Sequence, residues 1–230
     1  MDAGLTPLWI SVKTSLLATV ITFFLGIGTA YLVANYKGKW RGIIDSIFTL
    51  PLVLPPTVLG FFLLIFFGKN GPAGKFLLQF DINLIFTWTA TVISAVVVAF
   101  PMMYRSSRSA FEQIDDNLIA AAKTLGMSKW KIFYKISVPL AWPGIIGGVV
   151  LSFARALGEF GATLMMAGNI PGKTQTMPLA IFFQVQAMNY KGAMVWVATI
   201  VAISVVMILV LNFWSDKQQD LVGKRSRGGK

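Results

Sequence analysis

Two charged side chains stand where charge is costly. Arg155 and Glu159 fall inside the apolar stretch SFARALGEFGAT, one helical turn apart, so a guanidinium and a carboxylate can pair along one helix face. Ionisable residues inside a membrane span are expensive, and by default they point to contact with a passing ion. The same pair can instead satisfy itself and only fix packing, and the residues leave both readings open. Glu159 also sits between Gly158 and Gly161, beside Phe160, where neighbouring backbones can come close. Other chemistry is excluded by composition. The chain has no cysteine and no histidine, which removes disulfides, thiolate metal sites and the commonest general base. No catalytic residue and no metal site is expected.

A second group is the proline set Pro51, Pro55 and Pro56 in LPLVLPPTVLG. Each proline removes a backbone donor and clashes with the preceding turn. A helix broken at bilayer depth persists only where protein or a water-filled cavity covers the freed carbonyls. The stretch is therefore either a packing kink or a break that lines a pathway.

A third group is built for contact rather than for the bilayer. Ala120 to Pro139, AAAKTLGMSKWKIFYKISVP, carries Lys123, Lys129, Lys131 and Lys135 and has no apolar run of bilayer length. The pattern predicts a helix over Asn117 to Leu125 with a flat face of Ala120, Ala121 and Ala122. Gly126 is placed to end it in a left-handed turn. Ser128 then caps a second helix through Trp130, Ile132 and Phe133, which Pro139 stops. Such a helix-turn-helix can dock in a groove of another protein or lie on the lipid surface.

The elements that must hold these groups are membrane helices. Hydrophobic residues make up 56% of the 230 positions and charged residues 13%, about half the charge of an ordinary soluble domain. Mean hydropathy is +0.71. The fold class is an all-α integral membrane protein with five spans, at about residues 8–34, 43–67, 85–104, 140–166 and 192–214. A cytoplasmic loop, 112–139, and a basic tail, 215–230, complete it. Ser11, Ser15, Thr19 and Thr22 recur along one face of the first span, a stripe that fits helix packing better than solute contact. Gly144 and Gly148 form a G-x-x-x-G in the fourth span. Residues 177–189 are apolar but too short to cross, which suits a short helix at the outer interface. GPAGKF, in the loop 68–84, is not a phosphate-binding loop, because Phe76 stands where Ser or Thr is needed. No cleavable signal peptide is evident.

The formal charge of +11 reports topology before it reports nucleic acid, and no nucleic-acid partner is expected. Three basic residues fall in the first inner loop, six from Arg105 to Lys135 and five in the tail, against Lys69, Lys75, Lys173 and Lys191 outside. This excess puts the N-terminus outside and the C-terminus in the cytoplasm of a multi-pass protein of the cell membrane.

The Ala120–Pro139 stretch resembles the EAA loop of type I ABC importer permeases, whose pattern is E-A-A, three residues, Gly, nine residues, I-x-L-P. Ala120-Ala121-Ala122, Gly126 and Ile136 to Pro139 match its spacing. Ala120 replaces the acidic residue and Val138 the leucine. ARALGEFGATLMMAGNIPGKTQTMPLAIF is similar to molybdate permeases, in which G-E-F-G-A leads to N-I-P-G and then T-x-P. LPLVLPPTVLG is similar to their second span. Sulfate and tungstate permeases share A-R-A-x-G-E-[FY]-G and diverge after it. The similarity runs from about Leu8 to Trp214.

What the resemblance implies is a transport subunit, not an enzyme, acting as a homodimer surrounded by membrane lipid. Two cytoplasmic ATPase subunits would grip the EAA loops and hold ATP and magnesium, since this chain has no P-loop and no cofactor of its own. An extracytoplasmic oxyanion-binding protein would deliver molybdate, or alternatively sulfate or tungstate. The competing class, a stand-alone channel or secondary transporter, often shows inverted repeats or several intramembrane charges. One Arg–Glu pair and no repeat are visible. A scaffold without transport has no need of a proline-broken span.

Overall fold

The computed structural model describes residues 4–227, with side chains described as far as Leu209. The described residues form helices and connecting loops, with no strand. The frame is three helices: α1 (Thr6–Asn35), α5 (Trp88–Glu112) and α8 (Val138–Leu157). In lipid no hydrophobic force draws apolar helices together, so close packing of small residues has to do it. On α1 the buried positions Thr14, Ala18, Thr22, Gly26 and Ala30 recur every four residues. On α5 Thr91, Ala95, Ala99, Met103 and Ser107 do the same. These i±4 ridges meet in parallel register. Thr14 and Thr91 hydroxyls are 3.2 Å apart near one end, and a Cβ on Gly26 would lie 2.9 Å from Met103 Cβ near the other.

Helix α8 packs on α5 in the opposite direction. A Cβ on Gly144 would lie 2.5 Å from Ala110 Cβ, and one on Gly148 3.1 Å from Ser106 Cβ, so the G-x-x-x-G does bring two helices together. Ser106 donates to the Gly144 carbonyl at 2.7 Å. Ala18, Ala95, Ala99 and Ala156 form one buried alanine layer across the three helices. The stripe expected to pack does so: Ser11, Ser15, Thr19 and Thr22 are all buried. Three of them donate to carbonyls of their own helix, and Ser11 accepts from Met177 N–H at 2.7 Å.

Around this frame lie α2 (Arg41–Val53), α3 (Pro56–Phe67), α4 (Pro72–Leu78), α9 (Gly161–Ala167), α10 (Met177–Gln186) and α11 (Tyr190–Arg227). Among the described residues four helices are long and apolar enough to cross a membrane: Thr6–Asn35, Trp88–Glu112, Lys129–Leu157 and Tyr190–Leu209. Several expected boundaries change. The stretch 43–67 is not one straight span, because α2 and α3 meet at 111°. Pro51 lies within α2, so it is not the break. The break is at Leu54 and Pro55, both extended (ψ 140 and 136), since a residue before proline is pushed out of the helical region. Helix α5 begins at Trp88, not 85, and runs past Tyr104 to Glu112. The loop 68–84 holds α4.

The fourth span also differs from a continuous 140–166. It starts earlier and breaks: α8 ends at Leu157, and Gly158 to Phe160 separate it from α9. Pro139 does not stop the helix before it. Residues Phe133–Ser137 form a π turn, so Val138 N–H reaches the Phe133 carbonyl, five residues back. Pro139 is the second residue of α8, directly after this turn. The last helix spans more than 192–214, and the side chains of the expected tail, 215–230, lie outside those described.

Candidate translocation and coupling sites

The two breaks in the chain are in contact. Gly161, first in α9, faces Pro56 and Thr57, first in α3: a Cβ on it would lie 3.1 Å from Pro56 Cβ and from the Thr57 backbone nitrogen. One turn along, a Cβ on Gly60 would lie 2.7 Å from Ala162 Cα. Leu54 packs on the buried residues Leu59, Val98 and Ala162. Two interrupted helices thus start side by side; at Gly60 a Cβ would force a shift, and at Gly161 it would be a tight fit.

The ion pair sits at this junction. Arg155 Nη1 and Glu159 Oε2 are 2.9 Å apart, with the Glu159 side chain 2% exposed and that of Arg155 26%. Glu159 Oε1 accepts from Ala162 N–H at 2.7 Å, so the carboxylate also satisfies the start of α9. Ala156, next to Arg155, belongs to the alanine layer midway along α1 and α5, which sets the pair deep in the bundle. Phe160 leans on Phe182 of α10, ring centres 5.0 Å apart. The arrangement offers one cation, largely matched by a buried carboxylate, beside two helix starts, that of α3 partly exposed and that of α9 buried. Among the described residues no cluster of three or more carboxylates suits a metal ion.

After α9 the NIPG segment is a tight loop. Thr174, wholly buried, accepts from Ile170 N–H at 2.9 Å and donates to the Gly168 carbonyl at 3.2 Å.

The loop 112–139 forms a separate candidate site. Asp115 caps α6 (Asp116–Thr124) through Asn117 N–H at 2.8 Å. At the other end Gly126 has φ +75, with Gly126 N–H to Lys123 and Met127 N–H to Ala122, the paired bonds of a Schellman end. Ser128 caps α7 (Lys129–Ile132) through Lys131 N–H at 3.4 Å. Ala122 is buried, while Ala120 and Ala121 are exposed. Ile136 lies in the π turn, partly buried, and Pro139 is exposed. Sequence reasoning missed Leu118 and Leu125, which stand 51% and 82% exposed. With Ala121 they fall at i, i+3 and i+7, one apolar face of α6. That spacing was the available signal. Also missed was a polar cluster on α2 and α5, Asp45 with Tyr104 and Arg108, of which only the i,i+4 spacing of Arg108 and Glu112 was legible.

The comparisons with known proteins match this architecture. The family described as "Binding-protein-dependent transport system inner membrane component" matches residues 22–228. The chain belongs to that family. The permease is 42% identical over 195 residues to the molybdenum transport system permease protein ModB of Haemophilus influenzae, covering 84% of this chain and 85% of that one. It is 41% identical over 217 residues to ModB of Escherichia coli K12, covering 94% and 95%. The sulfate transport system permease protein CysT of Escherichia coli is more distant, 32% identical over 88% of this chain and 73% of its own length. In fold, the permease is similar to the crystal structure of a bacterial ABC transporter that imports alginate: TM-score 0.78, 15% identity, 94% of this chain and 80% of that one. The permease is thus an inner-membrane component of a binding-protein-dependent transport system.

Proposed function

We propose that this permease carries molybdate across the cytoplasmic membrane as one of two identical copies. Two cytoplasmic ATPase subunits hold ATP and magnesium, and an extracytoplasmic binding protein delivers the oxyanion. The observation that carries the substrate is the higher identity to molybdenum permeases, 41–42%, than to the sulfate permease, 32%. The paired breaks support a gate at Arg155, Gly158, Glu159, Phe160 and Gly161 with Pro55 and Pro56. Pro51, inside α2, stiffens the approach to that gate. A dianion needs compensating charge in a low-dielectric passage, but an unmatched deep cation would hold it too tightly. Glu159 offsets Arg155 and keeps the passage weakly attractive.

The coupling loop, with Ala120, Ala121, Ala122, Gly126, Ile136 and Pro139, is the ATPase contact, and Leu118 and Leu125 supply its apolar face. ATP binding draws the two loops together and switches the breaks. The basic loops keep the N-terminus outside and the C-terminus in the cytoplasm, and the exposed apolar faces meet membrane lipid.

The test is ATP-driven uptake of labelled molybdate into vesicles holding the complete complex, with sulfate and tungstate as competitors. Tenfold excess sulfate leaving uptake unchanged supports the reading. Sulfate carried as well as molybdate contradicts it. Orientation is tested on intact cells: Asn70→Cys and Lys173→Cys react with an impermeant thiol reagent and Lys131→Cys does not, against a chain with no native cysteine.

A further inference from the structure

Helix α2 has no buried residue, yet its far end forms one side of the gate break. Ile44 and Phe48 pack on the frame, and a polar cluster at the helix's cytoplasmic start adds to their hold. Arg41 of α2 pairs with Glu112 of α5, and Asp45 of α2 pairs with Arg108 of α5. Arg108 Nε also donates to Glu112 at 2.7 Å. Tyr104 donates to Asp45 at 3.0 Å and accepts from Arg108 at 3.3 Å. Next along, Phe48 stands edge-on to Phe100 and Tyr104. Isolated surface ion pairs contribute little. This set is a network, and its central member, Arg108, has only 18% of its side chain exposed.

The cluster lies on the direct route from the coupling loop. Helix α5 runs unbroken to Glu112, and three residues later Asp115 caps α6. A cleft of about 530 Å³ is lined by Arg41, Arg108 and Glu112 together with Asp116 and Ile119 of α6, so the cluster faces α6 across open space. Helix α2, 13 residues long, spans about 20 Å at 1.5 Å per residue. It therefore joins the clamp at one end to the Leu54–Pro55 break at the other.

We propose that Asp45 and Arg108 are positioning residues: they clamp α2 to α5 so that movement of the coupling loop is delivered to the α2–α3 break. This rests on the coupling-loop and gate reading given above. Without the clamp, α5 moves and α2 slips.

The test uses the full complex in vesicles with Asp45→Asn and Arg108→Gln, and two readouts. The first is molybdate uptake per ATP hydrolysed. It falls about fivefold or more, a typical size for a lost coupling between sites, while ATP hydrolysis stays near wild type. The exchange Asp45→Arg with Arg108→Asp restores part of the ratio. The second does not depend on substrate: the distance between spin labels at Ile47→Cys and Phe62→Cys, with and without trapped nucleotide. The unsubstituted clamp shows a nucleotide-driven change, and the clamp variants lose it. An unchanged uptake-to-hydrolysis ratio, an equal distance change in the variants, or no change with the clamp intact overturns the proposal. Absence of molybdate uptake by the wild type, with the label distance still responding, counts against the substrate reading alone.

Discussion

Gly126 and Gly60 lie in the two candidate sites of the permease, and they are glycine for different reasons. At Gly126 the backbone has φ +75, and a Cβ would meet nothing within 4 Å. The constraint is local, one residue in a left-handed turn. Gly60 lies inside helix α3, and its Cβ would reach 2.7 Å from Ala162 Cα. There the constraint is a neighbour more than a hundred positions away. The proposed coupling loop is thus shaped by its own residues and presents its apolar face outward. The proposed gate is shaped by two helices that touch.

The largest loss is expected from removing charge at the proposed gate. Glu159→Gln keeps an acceptor for Ala162 N–H but strands Arg155. Breaking a buried pair costs about 3–5 kcal/mol, and the 26% exposure of Arg155 brings the expected loss to about 2–4 kcal/mol. Thermal unfolding of the purified complex checks it. Glu159→Ala loses the cap as well and should be worse by about 1 kcal/mol.

Next in size is Gly60→Ala. The added methyl overpacks the α3–α9 contact, for about 1–3 kcal/mol, read as a lower melting temperature. The ATPase should still co-purify, because the loop is untouched. Gly126→Val should give the reverse pattern. A branched residue resists positive φ, at a cost of about 1–2 kcal/mol. Bundle melting should change little while ATPase co-purification is lost, and Gly126→Asn should retain part of it, since asparagine tolerates that turn. If Gly60→Ala and Gly126→Val give the same pattern, the distinction between local and tertiary constraint fails.

The smallest effect on stability is at Leu125, where Leu125→Ala should stay within about 0.5 kcal/mol as an exposed site. Co-purification of the ATPase should still weaken, which separates a contact surface from a folding element.

The same distinction explains what could be read from the chain. Gly126, Ser128 and the helix before them were legible because caps and left-handed turns depend on a few adjacent residues. Arg155 and Glu159 were legible as a pair because i,i+4 spacing is local too. At the Leu54–Pro55 break two successive residues precede a proline, whereas before Pro51 only Leu50 does and it stays helical, a difference overshadowed by counting prolines. The break at Gly158 was hidden, since no proline marks it: Glu159 stabilises it by capping α9, and Gly161 and Gly60 make room for it. The passage of the helix through Pro139 depends on a π turn that no residue type announces. The Asp45–Arg108 clamp joins residues in different helices, and single-sequence periodicity carries no such information.

The central claim is that Arg155 and Glu159 stand at the gate and are not packing alone. It is tested most directly by molybdate uptake per assembled complex in reconstituted vesicles, comparing wild type, Glu159→Gln and the double change Arg155→Gln with Glu159→Gln. The account predicts that the single variant loses most of its rate per complex and that the double variant recovers assembly and part of the flux. An unchanged rate per complex in Glu159→Gln would contradict it and leave the pair as structure.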